Sequence, residues 1–533
     1  MNIVFVIINS ITIFLFFYYV FTYFLQLNRY EVLTTISVCG TRLLSITLIF
    51  VAIDILEVLI KLIILTKVMN IILSLLILCF RFVCLVVVFK IILKKNKLKF
   101  THRVVRHASL CVIAYSTLIV LTLNLPIVLN LFILKFYIAY IIANSISIFI
   151  EYLIIKKYIY ATKQKLKKYP NIIKIGITGS YGKTSTKFIL TKLLQTKYIV
   201  KCTPNSYNTL MGVSKFILET NLNGVQILII EMGAVRLKDI TKLCNLVDPS
   251  IGILTSIGKQ HLDTFHSCAN IVKGKAELSN YILQHNGLMV FNCTNADCEK
   301  IYLELEKSKN SNKIIGVYDN SYNTDDKNYA KINYLYKIHN ISQNGTLFSI
   351  NELNTKMVAY LSTILLGESN VVNIAMSVAV ARNLGVDFDS IANEVSRLNF
   401  VTNRMELRTG LSGASVIYDA YNSNEFSYQE MLKTVSRFNC NTKILITPGV
   451  VDLGRIQYDV NIKLAKLSFD VFDEVWVINS VNKYAFKDAE SLTLNKCVVK
   501  YFSSLNKEIF DTVNQLSSGY LVVFENDLPD IYK

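Results

Sequence analysis

The first 155 residues are too apolar for any fold that keeps its surface in water, whereas the rest of the chain mixes charged, polar and apolar side chains in ordinary proportion. Five apolar runs, at 3–26, 43–66, 70–90, 108–124 and 127–150, approach or exceed the length of about 20 residues that spans a bilayer. The pattern predicts about five transmembrane helices over residues 1–155. The first run has neither a basic leader nor a small-residue cleavage site and more spans follow it, so it reads as an uncleaved helix.

Net charge is +18, a value that in a soluble protein points to nucleic acid. Here the cations flank apolar runs, in one cluster from Lys94 to Arg106 and another from Lys156 to Lys168. Lys and Arg concentrate in short cytoplasmic loops, so both clusters are expected on the cytoplasmic side and the N-terminus outside. The balance is explained by the lipid bilayer as partner, and nucleic-acid binding gains no support. The 11 cysteines show no CxxC pair and no Cys/His spacing suited to zinc, and they read as reduced thiols.

After a basic linker at 156–171, the residues from Ile173 to Ile177 read as a buried strand running into TGSYGKTST at 178–186, followed by a helical stretch. Strand, glycine loop and helix in that order make a phosphate site. Backbone N–H groups at a helix start attract an anion, Lys183 neutralises the β- and γ-phosphates, and the Thr184 hydroxyl suits magnesium. Gly179, Ser180, Gly182 and Ser185 complete the predicted loop contacts. Ile177 stands where the general NTPase pattern has its first glycine, so the spacing is GxxGKT rather than Walker A.

This loop resembles that of the Mur ligase superfamily, and further segments follow in that family's order. The strand at Ile227 to Ile230 ends in EMG at 231–233, where the resemblance implies that Glu231 ligates magnesium. SIGKQHLDTF at 256–265 is similar to the segment bearing a magnesium-ligating histidine, here His261, and KAEL at 275–278 to the segment whose lysine, here Lys275, takes up CO2 as a carbamate. A carbamate turns a cationic amine into an anionic oxygen ligand of the kind magnesium prefers. GESNVVN at 367–373 resembles the adenine-contacting motif, implicating Asn370 and Asn373, with Ser369 where the family often has His. In NRM at 403–405, Arg404 corresponds to an arginine that faces the γ-phosphate across a domain cleft.

YDAYNSN at 418–424 is similar to the signature of MurF-like ligases, which add D-alanyl-D-alanine to a muramoyl tripeptide; Tyr418 and Glu425 depart from that pattern. TPGVVDLG at 447–454 and FENDLPD at 524–530 look like segments of MurF-like ligases that carry an N-terminal membrane domain. The resemblance, covering about residues 170–533, implies ATP, two Mg2+ ions, Asp419 beside the nucleotide, and substrate contacts from Asn205, Tyr207, Asn208, Tyr421, Asn422 and Asn424. Expected activity is ADP-forming amide-bond synthesis through an acyl phosphate, in cytoplasmic domains of a multi-pass bacterial membrane protein. Two other readings stay open: a membrane polyglutamate synthetase of the same fold, and an ATP-driven transporter.

The expected architecture is therefore a helical membrane domain at 1–155, an α/β domain at 172–400 with a P-loop parallel sheet, and a Rossmann-like α/β domain at 401–533. The segment from Glu299 to Leu353 breaks the alternation and is expected to hold a β-rich insertion.

Overall fold

The computed structural model describes residues 17–19, 21–22, 101–121, 132–204, 207–258, 260, 262–307, 313–320, 332–421, 423–451, 453–493 and 497–527. The expected spans at 43–66 and 70–90, and most of 3–26, lie outside them. Met1–Lys157, with Asp530–Lys533, forms one compact unit and Tyr158–Pro529 another.

In the first unit the expected fourth and fifth spans fall on helices α1 (His102–Leu121) and α2 (Phe132–Lys167), both long and apolar enough to cross a membrane. Only 22% and 17% of their most apolar windows are buried, unlike the core helix of a water-soluble domain. Ile113, Leu121, Ile141 and Phe149 lie bare on them. Both helices exceed the expected limits: α1 starts early enough to include Arg103 and Arg106, and α2 runs on through the basic stretch to Lys167. Lys and Arg are good helix formers, so charge alone does not end a helix.

The second unit holds two sheets. Strands β1 (Ile173–Thr178), β2 (Val200–Cys202), β3 (Ile227–Glu231), β4 (Ile251–Leu254), β5 (Leu288–Asn292), β6 (Ile314–Asp319), β7 (Ile332–Ser342), β8 (Gly345–Glu352) and β9 (Met357–Thr363) make a nine-stranded sheet ordered β2-β3-β1-β4-β5-β6-β7-β8-β9. From β2 to β7 neighbours are parallel, and their near-continuous Val/Ile/Leu runs follow from helices covering both faces. The β-rich stretch expected between Glu299 and Leu353 is not inserted: β7, β8 and β9 extend the same sheet as an antiparallel meander. Their alternating burial, clearest in β9, is the period-2 signature of strands with one wet face.

Helix α3 (Lys183–Gln195) opens at the phosphate loop, α4 (Cys268–Gln284) carries Lys275, and α5 (Glu368–Asn383) is buried almost all round, as a helix at the centre of a large core must be. Beyond it, β10 (Glu406–Thr409), β11 (Ser415–Tyr421), helix α6 (Glu425–Ser436), β12 (Thr442–Thr447), β13 (Glu474–Ile478), β14 (Val498–Phe502) and β15 (Tyr520–Asp527) complete the fold. The second sheet is ordered β10-β11-β15-β12-β13-β14 and is parallel except for β10. No disulfide forms among the described cysteines.

Candidate active site

The loop between β1 and α3 is shaped by two glycines. Gly179 has φ +154, and a Cβ there would lie 2.1 Å from Thr255 Oγ1; Gly182 has φ +80, and a Cβ there would meet Asn373 Oδ1 at 2.7 Å. Only glycine takes such positions cheaply. Gly182 caps α3 with no side chain, which leaves the N–H groups of the first turn open to an anion. Lys183 arches back over the loop, donating to the carbonyls of Gly179 at 2.7 Å and Ser180 at 3.1 Å. Burial pulls its pKa down to about 8, with Arg404 adding to the fall and Glu231 opposing it.

Glu231 ends β3 beside β1, so register sets its carboxylate next to the first turn of α3. Thr184 donates to its Oε2 at 3.1 Å, Lys187 pairs with the same oxygen at 2.9 Å, and Asn208 donates to Oε1 at 3.2 Å. Burial pushes this carboxyl up, but Lys187 and Lys183 hold it below the ordinary glutamate value. Thr184 and Glu231 thus present hard oxygen donors beside the phosphate loop, the donor type magnesium takes.

Lys187 was not foreseen, although it sits one turn after Lys183 on the same helix face. Its Nζ and the Glu231 carboxylate are both almost fully buried. Removing one partner of a buried pair leaves an uncompensated charge, at a cost of about 3–5 kcal/mol. Lys187→Met is therefore expected to lower the melting temperature by several degrees, and saturating Mg2+ to restore part of the loss by meeting the orphaned Glu231. A calorimetric scan with and without Mg2+ checks this; an unchanged melting temperature refutes it.

Lys275, on α4, is 3% exposed and donates weakly to the Ala234 carbonyl at 3.4 Å. Burial, reinforced by Lys183, pulls its pKa to about 7. Lys183, Glu231 and Lys275 thus share one electrostatic neighbourhood. His261 and Asn205 lie outside the described residues, and among those described no cluster of three His, Cys, Asp or Glu side chains stands ready for a metal.

Asn373 accepts from Thr186 Oγ1 at 3.0 Å and Asn370 donates to the Leu366 carbonyl at 2.8 Å, both nearly buried. Asn373 therefore braces the phosphate loop, and neither asparagine lines the cavity described among these residues. That cavity, of about 720 Å3, is lined by Asp319, Asn320, Lys337, His339, Glu368 and Arg437 among others. Of the expected substrate contacts, Asn208 holds Glu231, Tyr207 is half-buried beside Gly212, Asn422 lies outside the described residues and Tyr421 is placed only as the end of β11.

From the turn just before β10, Arg404 reaches the field of Lys183. It stands between Asn403 at φ 57 and Met405 at φ 46, left-handed conformations that non-glycine residues keep only where the surroundings impose them. Asp419 Oδ1 accepts from the Met405 N–H at 3.2 Å, fixing that turn; burial raises its pKa to about 6 against the pull of Arg404. Asn424 caps α6, its Oδ1 accepting from the N–H groups of Phe426 and Ser427. Tyr181 of the phosphate loop stacks on Phe426 with centroids 4.4 Å apart. This stack ties the loop to the second sheet's first helix, a link no local sequence pattern announces.

Residues 177–381 match the family described as the Mur ligase middle domain. Lys183, Glu231 and Lys275 fall inside this stretch, whereas Arg404, Asp419 and Asn424 lie beyond. The UDP-N-acetylmuramoyl-tripeptide–D-alanyl-D-alanine ligase of Bacillus subtilis is 27% identical over 358 residues, covering 66% of this chain and 72% of that protein. The ligase of the same name from Borreliella burgdorferi is 25% identical over 354 residues, covering 66% and 71%. Among solved structures, a MurF ligase from Thermotoga maritima in complex with ADP superposes with a TM-score of 0.56 at 23% identity, covering 70% of this chain and 80% of that one. The Mur ligase likeness thus extends past the middle domain in fold, and Mur ligases as a family are ATP-dependent, ADP-forming amide ligases.

Proposed function

We propose that this chain is a membrane-anchored peptide ligase that adds D-alanyl-D-alanine to a muramoyl tripeptide in peptidoglycan precursor synthesis, with its catalytic unit in the cytoplasm. The observation that carries this reading is the gathering of Lys183, Thr184, Glu231, Lys275 and Arg404 around one open helix N-terminus.

A carboxylate is a poor acyl donor because its leaving group would be oxide. Transfer of the γ-phosphoryl group of ATP converts it to an acyl phosphate; the amine nitrogen then attacks the acyl carbon, the bond to phosphate breaks, phosphate leaves with the electron pair and the nitrogen loses a proton. Lys183 and the loop N–H groups hold the phosphates, and Arg404 meets charge developing on the transferred group. When bound, magnesium would supply charge neutralisation; Thr184 and Glu231 would hold one ion, and the resemblance implies that His261 and a carbamylated Lys275 would hold a second. Because Arg404 precedes β10 and Phe426 lies on α6, both beside the second sheet, closure of that sheet and its helices on the loop completes the site.

The bare apolar surface of α1 and α2 supports anchoring. One experiment tests both parts: carbonate-washed membranes from expressing cells, given UDP-muramoyl tripeptide, D-alanyl-D-alanine and ATP, should yield ADP and a product heavier by the dipeptide. Activity found only in the supernatant refutes the anchor, and no dipeptide-dependent product refutes the ligase.

A further inference from the structure

Tyr181 stands between Ser180 and Gly182 in the phosphate loop, where gripping an anion needs only backbone N–H groups and small side chains. A large aromatic there has to be explained by what it touches. Its backbone is fastened to the turn after β4: the N–H donates to Ser256 Oγ at 3.2 Å, and the carbonyl accepts from Ser256 Oγ at 3.0 Å and Thr255 Oγ1 at 2.5 Å. Its ring passes Gly258, where a Cβ would lie 3.3 Å from Tyr181 Cε1. Its hydroxyl accepts from Asn295 Nδ2 at 3.3 Å, and the same amide donates to the Ile257 carbonyl and accepts from the Ile257 N–H. Burial pushes the phenol well above its ordinary pKa, which leaves it no acid–base role near neutral pH.

The first sheet therefore holds Tyr181 by backbone, ring and hydroxyl, and the second sheet meets it through α6. Phe426, the second residue of that helix, lies nearly parallel to the Tyr181 ring, at 14° with centroids 4.4 Å apart. Its N–H donates to Asn424 Oδ1 in the helix cap, so the ring moves with the start of α6. Arg404 moves with the same body: β10 pairs with β11, and Asp419 of β11 accepts from the Met405 N–H beside it. Whatever seats α6 on the loop also brings Arg404 toward Lys183, whose pKa it already lowers.

We infer that Tyr181 is a positioning residue and that its stack with Phe426 is a latch, which seats α6 on the phosphate loop and so holds Arg404 at the third phosphate of a bound nucleoside triphosphate. An aromatic pair of this kind shifts such an equilibrium about two- to tenfold beyond the area it covers. A diphosphate lacks the group that Arg404 meets, is held by the first sheet's loop alone, and is blind to the latch. The latch rests on the ligase reading only for its nucleotide, ATP, and not for the identity of the peptide.

Calorimetric titration of the full-length chain with ADP and with the non-hydrolysable analogue AMP-PNP, each with Mg2+, tests this. Phe426→Leu keeps apolar bulk and removes the aromatic face; it should leave the Kd for ADP within twofold and raise that for AMP-PNP about fivefold or more. Phe426→Tyr should restore the wild-type values, since a side chain 38% exposed leaves room for the hydroxyl in water. Tyr181→Leu should reproduce the loss seen in Phe426→Leu, and combining the two should weaken AMP-PNP little further, because both remove one contact. A folded Phe426→Leu that binds AMP-PNP as tightly as the wild type overturns the inference, as does equal weakening of both nucleotides or failure of tyrosine to restore binding. Should Phe426→Leu not fold, Tyr181→Leu decides by the same comparison. A wild type that forms no D-alanyl-D-alanine-dependent product while the variants follow this pattern overturns the ligase reading and keeps the latch.

Discussion

Lys183→Ala is expected to lower kcat/KM for ATP by about a thousandfold or more, equivalent to about 4 kcal/mol of transition-state stabilisation, with little change in melting temperature. The Lys183 ammonium lies inside the arc of the loop, bonded to the carbonyls of Gly179 and Ser180. Those bonds are local and replaceable by water, so the fold does not depend on them. Charge on a phosphoryl group in transfer is another matter: in a half-buried site a cation at this point acts through a low dielectric, where it is worth far more than at an open surface. Arginine should not substitute, because its planar fork is bulkier than the ammonium that the loop encloses. ADP release measured on the purified variant checks the expectation. Turnover within tenfold of wild type would remove Lys183 from the phosphate site.

The parts of this fold that could be read from sequence are those where one short segment carries both the element and the chemistry. β1, the loop and α3 are contiguous, and β3 runs through four apolar residues into Glu231, so strand and carboxylate are announced together. Lys187 escaped notice because its role exists only once β3 lies beside β1 and delivers Glu231 to it. Asn208, expected at the substrate, also holds the Glu231 carboxylate from a loop whose position the sheet decides, a contact that its segment does not announce. The Tyr181–Phe426 stack joins residues 245 positions apart, and nothing local to either predicts the other.

The meander β7–β9 was misread as an insertion because hydrophobic periodicity tells a strand from a helix but not which sheet it joins. For α2, the basic residues that were expected to mark a linker carry on the helix they follow.

Wild-type activity is expected to depend on dissolved CO2, and Lys275→Ala to lose about a thousandfold in turnover that no added bicarbonate restores. Lys275 is buried beside Lys183, and two ammonium groups in that setting repel each other and any metal placed with them. With its pKa pulled to about 7, a large share of the side chain is a neutral amine near neutral pH, able to attack CO2. The nitrogen–carbon bond forms and one proton leaves to solvent, replacing a cation by an anion with two oxygen donors. That exchange would turn the repulsion from Lys183 into attraction and give Lys275 hard oxygen donors of the type that the Glu231 carboxylate offers. Purified enzyme held in degassed, CO2-free buffer should therefore lose activity and regain it on adding bicarbonate, with mass spectrometry of cross-linked or gently ionised protein showing a 44 Da adduct, the mass of CO2, that is absent from Lys275→Ala. Lys183→Ala, by contrast, should keep the adduct while staying inactive, since the lost cation there serves the phosphates and not the carbamate. If CO2 removal leaves wild-type turnover unaffected, Lys275 works as a buried amine and the second magnesium site has a different donor set.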